Sequence, residues 1–372
     1  MCIDRRELLR QLGTVTAATA FFPRLAESTE ETADSRARLV RLNRNEGAYG
    51  PGDKAKAAFQ QALAHANRYP AEDADLRAEI ASAQCVRPEN IMLGCGSTEL
   101  LRMAAEVCLG PGKNLVLSSP TFESIGDAAR LLGSQVRTVP LTNLYAHDLE
   151  AILARIDGNT GLVYICNPNN PTGTLTAESE LEAFLTKAAP LVTVLIDEAY
   201  HHYVPPSGAY ASWVGRAAGD PRLIVTRTFS KVYGLAGLRV GYAVSAAETA
   251  KRLAARRLAM DVNIVAVRVA LAALADTAHL KKVVALNSND RQEFFNQVNA
   301  RMLRCLDSQT NFVLMRTHTT GKEVTETLRA KGILVGAGYP SFDQYIRVSL
   351  GVPEDMQAFW RVWDASMPHH PV

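Results

Sequence analysis

Seven short runs of apolar, mostly β-branched residues recur between Asn90 and Ser245, each separated from the next by a longer stretch or a loop. They are NIMLG (90–94), NLVLSS (114–119), QVRTVPL (135–141), GLVYICNP (161–168), VTVLIDEAY (192–200), RLIVTRTFS (222–230) and RVGYAVS (239–245). Several are apolar at consecutive positions rather than alternate ones, as in strands covered on both faces. Their alternation with helical stretches predicts an α/β fold with a mainly parallel seven-stranded sheet between helices. Only the loop 231–238 separates the last two runs, too little for a helical crossover, so one of them runs antiparallel.

The flanking patterns differ. Residues 27–38 are polar and read as a linker. The stretch 39–52 is broken by Gly and Pro and reads as a loop, followed by an amphipathic helix over 53–69 that ends before Pro70. From about Thr249 the pattern changes to long helices (246–260, 264–276, 281–303). A mixed tail follows: TNFVLMRT, a helix over 321–332, ILVG, YIRVSLG and a last helix from Pro353. This predicts a large domain over 70–265, a smaller α+β domain over 266–372, and a segment 39–69 that joins the small domain and a subunit interface. At the N-terminus, Arg5-Arg6, Leu8-Leu9, Arg10 and a modest apolar run to Phe22 resemble a twin-arginine export signal, although Leu8 stands where phenylalanine is common and no A-x-A site follows. That resemblance implies a signal and linker over 1–38 and a periplasmic location, with the cytoplasm as the alternative.

Formal net charge is only +2, so no field calls for nucleic acid or an anionic membrane. No apolar run approaches the ~20 residues of a membrane-spanning helix. The six cysteines contain no CxxC pair, which argues against a disulfide framework and a zinc site.

Open α/β sheets bind ligands beyond the carboxyl ends of their strands, and five such ends here are unusual. In LGCGSTELL, Gly94 and Gly96 turn a strand into a helix opened by Ser97 and Thr98, which is either a phosphate cradle or an ordinary capped turn. In SPTFES, Phe122 could stack on a flat ring or be core. CNPNNPTG forces an irregular loop rich in amide donors, Asn170 among them. In LIDEAYHHY, Asp197 ends an apolar strand, where a carboxylate is costly unless something positive or hydrogen-bonded meets it, and Tyr200 is within reach of the same partner. In TRTFSKVYGLAGLRVGY, Lys231 follows Thr228 and Ser230 and precedes Arg239. A desolvated lysine is a good nucleophile toward an aldehyde, and an arginine fork suits a phosphate. One ligand accounts for all five. Its aldehyde meets Lys231, its phosphate meets Ser97, Thr98, Thr228 and Arg239, and its flat face meets Phe122. Its ring nitrogen meets Asp197, and its ring hydroxyl meets Asn170 and Tyr200. That ligand is pyridoxal 5′-phosphate.

The ordered set LNRNEGAYGP, NRYP, GCGSTELL, PTF, NPNNPTG, DEAY, TFSKVYGLAGLRVGY and YIRVSLG resembles the class I/II aminotransferases of fold type I, nearest the histidinol-phosphate aminotransferase-like branch, from about Leu39 to the C-terminus. The resemblance implies a Schiff base on Lys231 and a catalytic set of Lys231, Asp197 and Tyr200. It adds Gly96 and Ser230 to the cofactor contacts and assigns Asn45, Asn170 and Arg347 to the substrate. It also implies a homodimer in which Tyr69 reaches the phosphate in the neighbouring subunit.

The chain departs from that branch at three places. Gly336 stands where the branch carries an arginine that helps bind substrate phosphate, Gly47-Ala48 replaces Asn-Pro, and Thr98 replaces an aspartate. The expectation is therefore transfer of an amino group from an α-amino acid with a neutral or aromatic side chain to a 2-oxo acid such as 2-oxoglutarate. The alternatives are histidinol-phosphate aminotransferase itself, or a lyase or decarboxylase on the same scaffold. His201 and His202 are not expected to bind a metal, but one of them could line the substrate pocket.

Overall fold

The computed structural model describes residues 39–70, 73–188 and 192–367. The twin-arginine-like segment and its linker lie outside them. The described chain from Leu39 onward belongs to one unit. Its strands are β1 (Val40–Leu42), β2 (Ile91–Gly94), β3 (Asn114–Ser119), β4 (Gln135–Pro140), β5 (Thr160–Cys166), β6 (Thr193–Asp197), β7 (Leu223–Thr228), β8 (Gly241–Ser245), β9 (Phe312–Arg316), β10 (Ile333–Val335) and β11 (Tyr345–Ser349). Seven of these form one sheet in the order β2-β8-β7-β6-β5-β3-β4. The strands of this sheet run parallel except β8, which is antiparallel to both β2 and β7.

Side chains alternate across the sheet into two apolar layers. Ile91, Leu93, Val163, Ile165 and Ile196 pack on one face, and Met92, Leu115, Leu117, Leu162 and Leu195 on the other. Because helices cover both faces, neither set of positions meets water, and the central strands read as unbroken apolar runs. Burying each large aliphatic side chain contributes about 1.5–3 kcal/mol, enough in sum to fix which residues end each strand.

Those ends position the site. β3, β5, β6 and β7 finish at one edge, at Ser119, Cys166, Asp197 and Thr228. Because β8 runs the other way, it starts at that same edge. The 231–238 loop therefore holds Lys231 at its exit from β7 and delivers Arg239 just before its entry into β8.

A third apolar core gathers Val40, Leu42, Phe294, Val298, Val313, Trp360 and Trp363. There β9 and β11 pair antiparallel, and β1 pairs parallel with β10. Residues 40–42 are thus a strand and not the loop that local glycines suggest. Val40 and Leu42 are buried, Arg41 is exposed, and the partner strand is far along the chain. The first described helix stops at Leu63, before the polar stretch 64–69. Among the described residues no helix is long and apolar enough to cross a membrane.

Candidate active site

A cavity of about 910 Å³ opens at the carboxyl edge of the sheet. It brings together Asn45, Ser97, Thr98, Phe122, Asn170, Asp197, Tyr200, Thr228, Ser230, Lys231, Arg239 and Arg347 from eight separate stretches of chain.

One end is rich in donors. Gly96 caps the helix Ser97–Cys108 and offers no side chain to its first N–H groups, which a helix leaves without internal partners. Two glycines keep this end open. A Cβ on Gly241 would stand 2.6 Å from the Ser97 nitrogen, and one on Gly96 would run into Arg239 Nη2. Arg239 takes the left-handed conformation (φ 58°), and its Nη1 donates to the Ala236 carbonyl at 3.0 Å and the Ser230 hydroxyl at 3.4 Å. Thr228 and Ser230 add hydroxyls, and Thr228 Oγ1 accepts from the Ser230 N–H at 3.0 Å. Backbone donors, hydroxyls and a guanidinium converge as a phosphate requires.

In the middle, Asp197 is 3% exposed. Its Oδ2 accepts from the Tyr164 hydroxyl at 3.0 Å, and its Oδ1 from the Thr226 hydroxyl at 3.1 Å and the Ala199 N–H at 3.2 Å. Burial pushes its pKa up to about 6, against these three donors and Lys231. A carboxylate held in that balance gains from a cationic partner, such as a ring N–H⁺. The two acids of the DEAY motif divide. Asp197 lines the cavity, whereas Glu198 turns into the core, where Oε2 accepts from Arg227 at 2.8 and 3.0 Å and Oε1 from the Trp213 N–H at 2.7 Å.

Lys231 Nζ donates to the Asn45 carbonyl at 2.9 Å and the Arg44 carbonyl at 3.3 Å, and lies 5.5 Å from the centre of the Tyr200 ring. Burial, then the Arg347 charge, pushes its pKa down to about 8, against the pull of Asp197 and Glu46. A large neutral fraction near pH 8 makes it a nucleophile and a proton carrier.

At the other end, Asn45 Nδ2 and Asn170 Nδ2 donate to the Tyr200 hydroxyl at 3.1 and 3.4 Å. Arg347 Nη1 donates to Asn170 Oδ1 at 2.6 Å and Nη2 to the Asn43 carbonyl at 2.8 Å. Its Nε is buried without a partner among the described residues. A guanidinium so held presents remaining N–H groups to an anion.

Other residues are placed differently. Tyr69 is 81% exposed and is not among those lining the cavity. Neither His201 nor His202 lines it. They lie in a 3₁₀ turn, His201 beside the Tyr210 hydroxyl (3.0 Å) and His202 beside that of Tyr233 (3.4 Å). Sequence reasoning passed over Tyr164, Thr226, Tyr339 and His147. His147 is buried between Ser118 Oγ (2.7 Å) and the Cys166 carbonyl (2.8 Å), and so ties the ends of β3 and β5 together. Burial holds it neutral, its pKa pushed down to about 4. Tyr164 and Thr226 were findable, as polar groups in apolar strands beside the Asp197 strand. A lone histidine in a loop gives no such signal.

A profile of aminotransferases of class I and II matches residues 37–360. The chain belongs to that family. It is 36% identical to histidinol-phosphate aminotransferase of Moorella thermoacetica over 87% of this chain and 84% of that protein. It is likewise 36% identical to histidinol-phosphate aminotransferase 1 of Cupriavidus pinatubonensis over 90% of each. Among solved structures, histidinol-phosphate aminotransferase of Sinorhizobium meliloti in complex with pyridoxal 5′-phosphate superposes with TM-score 0.83 at 28% identity, covering 88% of this chain and 92% of that one. L-threonine-O-3-phosphate decarboxylase of Porphyromonas gingivalis shares the fold at 23% identity, TM-score 0.77, covering 88% and 99%. This protein is a pyridoxal-phosphate-dependent aminotransferase of fold type I, and the residues fit the cofactor. The glycine-lined donor end suits its phosphate, Asp197 its ring nitrogen and Lys231 its aldehyde.

Proposed function

We propose that the aminotransferase takes its amino group from histidinol phosphate and gives it to a 2-oxo acid such as 2-oxoglutarate. The observation that carries the reading is that Lys231, Asp197 and a tethered Arg347 line one cavity, with both charges acting on Lys231. The names of relatives that align over most of the chain support the donor. Bound pyridoxal 5′-phosphate supplies an aldehyde for the amine and a ring that accepts the electrons released with the α-proton. Ser97, Thr98, Thr228, Ser230 and Arg239 would hold its phosphate. Phe122 would pack on the ring, Asn170 and Tyr200 would meet the ring hydroxyl, and Asp197 would keep the ring nitrogen protonated. Lys231 would move the substrate's α-proton as base and then acid. Arg347, with Asn45 and Asn170 beside it, holds the substrate's anionic group.

The same reading includes a homodimer in which the exposed Tyr69 completes the partner's phosphate site. It also includes division into a joining segment (39–69), a cofactor domain (70–265) and a small domain (266–372). The separate core around Trp360 supports a small domain, although Ala266, Val269, Ala270 and Ala273, inside its proposed bounds, pack in the core of the large sheet.

One observation favours a second donor class, α-amino acids with neutral or aromatic side chains: residue 336 is glycine and brings no charge beside Arg347. Steady-state kinetics decide between the two. If kcat/KM for histidinol phosphate exceeds that for histidine, phenylalanine and tyrosine by more than about tenfold, the first stands; the reverse order replaces it with the second. Turnover of the donor without consumption of any 2-oxo acid would overturn both in favour of a lyase or decarboxylase.

A further inference from the structure

Arg347 is held more closely than its two hydrogen bonds suggest. Its guanidinium lies close to two aromatic rings, 5.4 Å from the centre of Phe312 and 5.5 Å from that of Tyr339. Its backbone is bridged to Gly336, N–H to carbonyl in both directions, at 2.7 and 2.9 Å. A Cβ on Gly336 would stand 2.5 Å from the Tyr339 hydroxyl oxygen, with Arg347 Nη2 at 3.5 Å and the Arg347 carbonyl at 3.6 Å. The Tyr339 hydroxyl therefore occupies the room that a side chain on residue 336 would take. Tyr339 and Arg347 both line the cavity, and the tyrosine hydroxyl makes no hydrogen bond among the described residues. Burial raises its pKa, with Arg347 opposing, so it remains an O–H donor at neutral pH.

We propose that Tyr339 is a specificity-determining residue whose hydroxyl donates to the same anionic group of the substrate that Arg347 takes, while its ring keeps the guanidinium in place. The inference rests on the reading of Arg347 as the anion-binding residue. The anion then meets one cation and one neutral donor, neighbours on the same cavity wall. A hydrogen bond to a charged group at this position changes affinity by roughly ten- to hundredfold.

The test uses the holoenzyme with Tyr339→Phe, Gly336→Ala and the double variant. Three quantities are read: the Kd of maleate, a non-reacting dicarboxylate, by calorimetry, and KM and kcat for the best donor. Tyr339→Phe keeps the ring and removes the hydroxyl. Gly336→Ala pushes the hydroxyl aside without backbone strain, since no positive φ is involved. Each single variant should raise the maleate Kd and the donor KM about tenfold or more, with kcat changed less than about twofold. The double variant should match the singles rather than their product, because both remove one hydroxyl and an alanine meets no atom nearer than 3.5 Å once it is gone. Unchanged Kd and KM in Tyr339→Phe, or singles that multiply in the double, would overturn the proposal. If Gly336→Ala does not fold, Tyr339→Leu, which removes ring and hydroxyl together, should exceed the effect of Tyr339→Phe; equal effects would overturn the role of the ring. Maleate shifts as described, with no turnover of any donor, would defeat the reading of the reaction and leave that of Tyr339 standing.

Discussion

Replacing Gly96 with alanine should separate the phosphate end of the site from the rest. Gly96 sits at φ 77°, ψ 164°, a conformation open almost only to glycine, and another residue there costs about 1–3 kcal/mol. The new Cβ would overlap Arg239 Nη2 and lie 2.9 Å from its Cζ. The guanidinium must swing away, although Arg239 is itself in a left-handed conformation and tethered to the Ala236 carbonyl. The two costs are read by different assays. Backbone strain falls on the apo protein, so denaturant unfolding should show a loss of about 1–3 kcal/mol. Displacing Arg239 removes a charge-assisted bond to phosphate of about 1.5–3 kcal/mol, so equilibrium dialysis should show cofactor affinity reduced roughly ten- to hundredfold. Arg239→Ala should lose similar affinity without the strain, and combining the two should cost no further affinity. Wild-type affinity within about threefold in Gly96→Ala would refute the assignment of Arg239 to the phosphate.

Three further outcomes follow from the same geometry. Lys231, depressed to about 8, loses its proton as pH rises through that value, so the rate at which apo protein captures cofactor in stopped flow should climb to about pH 8 and then level. In the linked stability, the folded state binds fewer protons than the unfolded between about 8 and ~10.4; apo stability from this group is therefore lowest below 8 and recovers as pH rises through that window, and a capture rate indifferent to pH would contradict the burial of Lys231. Arg347→Ala should raise KM for donor and acceptor about a hundredfold and move the capture profile to higher pH, since Arg347 helps to depress Lys231; an unmoved profile would show the two charges to be uncoupled. Glu198→Gln leaves Arg227, whose side chain is 4% exposed, without its carboxylate and should cost about 3 kcal/mol in urea unfolding; a loss under about 1 kcal/mol would mean that Arg227 finds another partner.

Much of the sheet was legible because its strands are buried on both faces. The runs at 114–119 and 135–141 coincide with β3 and β4 to within a residue, and the short 231–238 loop correctly required an antiparallel strand, β8. The polar residues ending those runs were legible as a site for the same reason: Asp197 and Lys231 are expensive where they stand. What escaped was non-local. Strand β1 exists because Ile333–Val335 pairs with it, and no local pattern announces that. His201 and His202 follow the DEAY motif yet do not line the cavity, because the chain enters a 3₁₀ turn directly after Tyr200. Tyr339 escaped because its role depends on an absence, the missing side chain of Gly336.

Everything proposed for the site depends on Lys231 holding the cofactor aldehyde. Borohydride reduction of the cofactor-loaded protein, followed by peptide mapping by mass spectrometry, tests it most directly. The expected product is a phosphopyridoxyl group on Lys231, lost in Lys231→Ala. A stable adduct on another lysine, or none in a protein that still transfers amino groups, would contradict it.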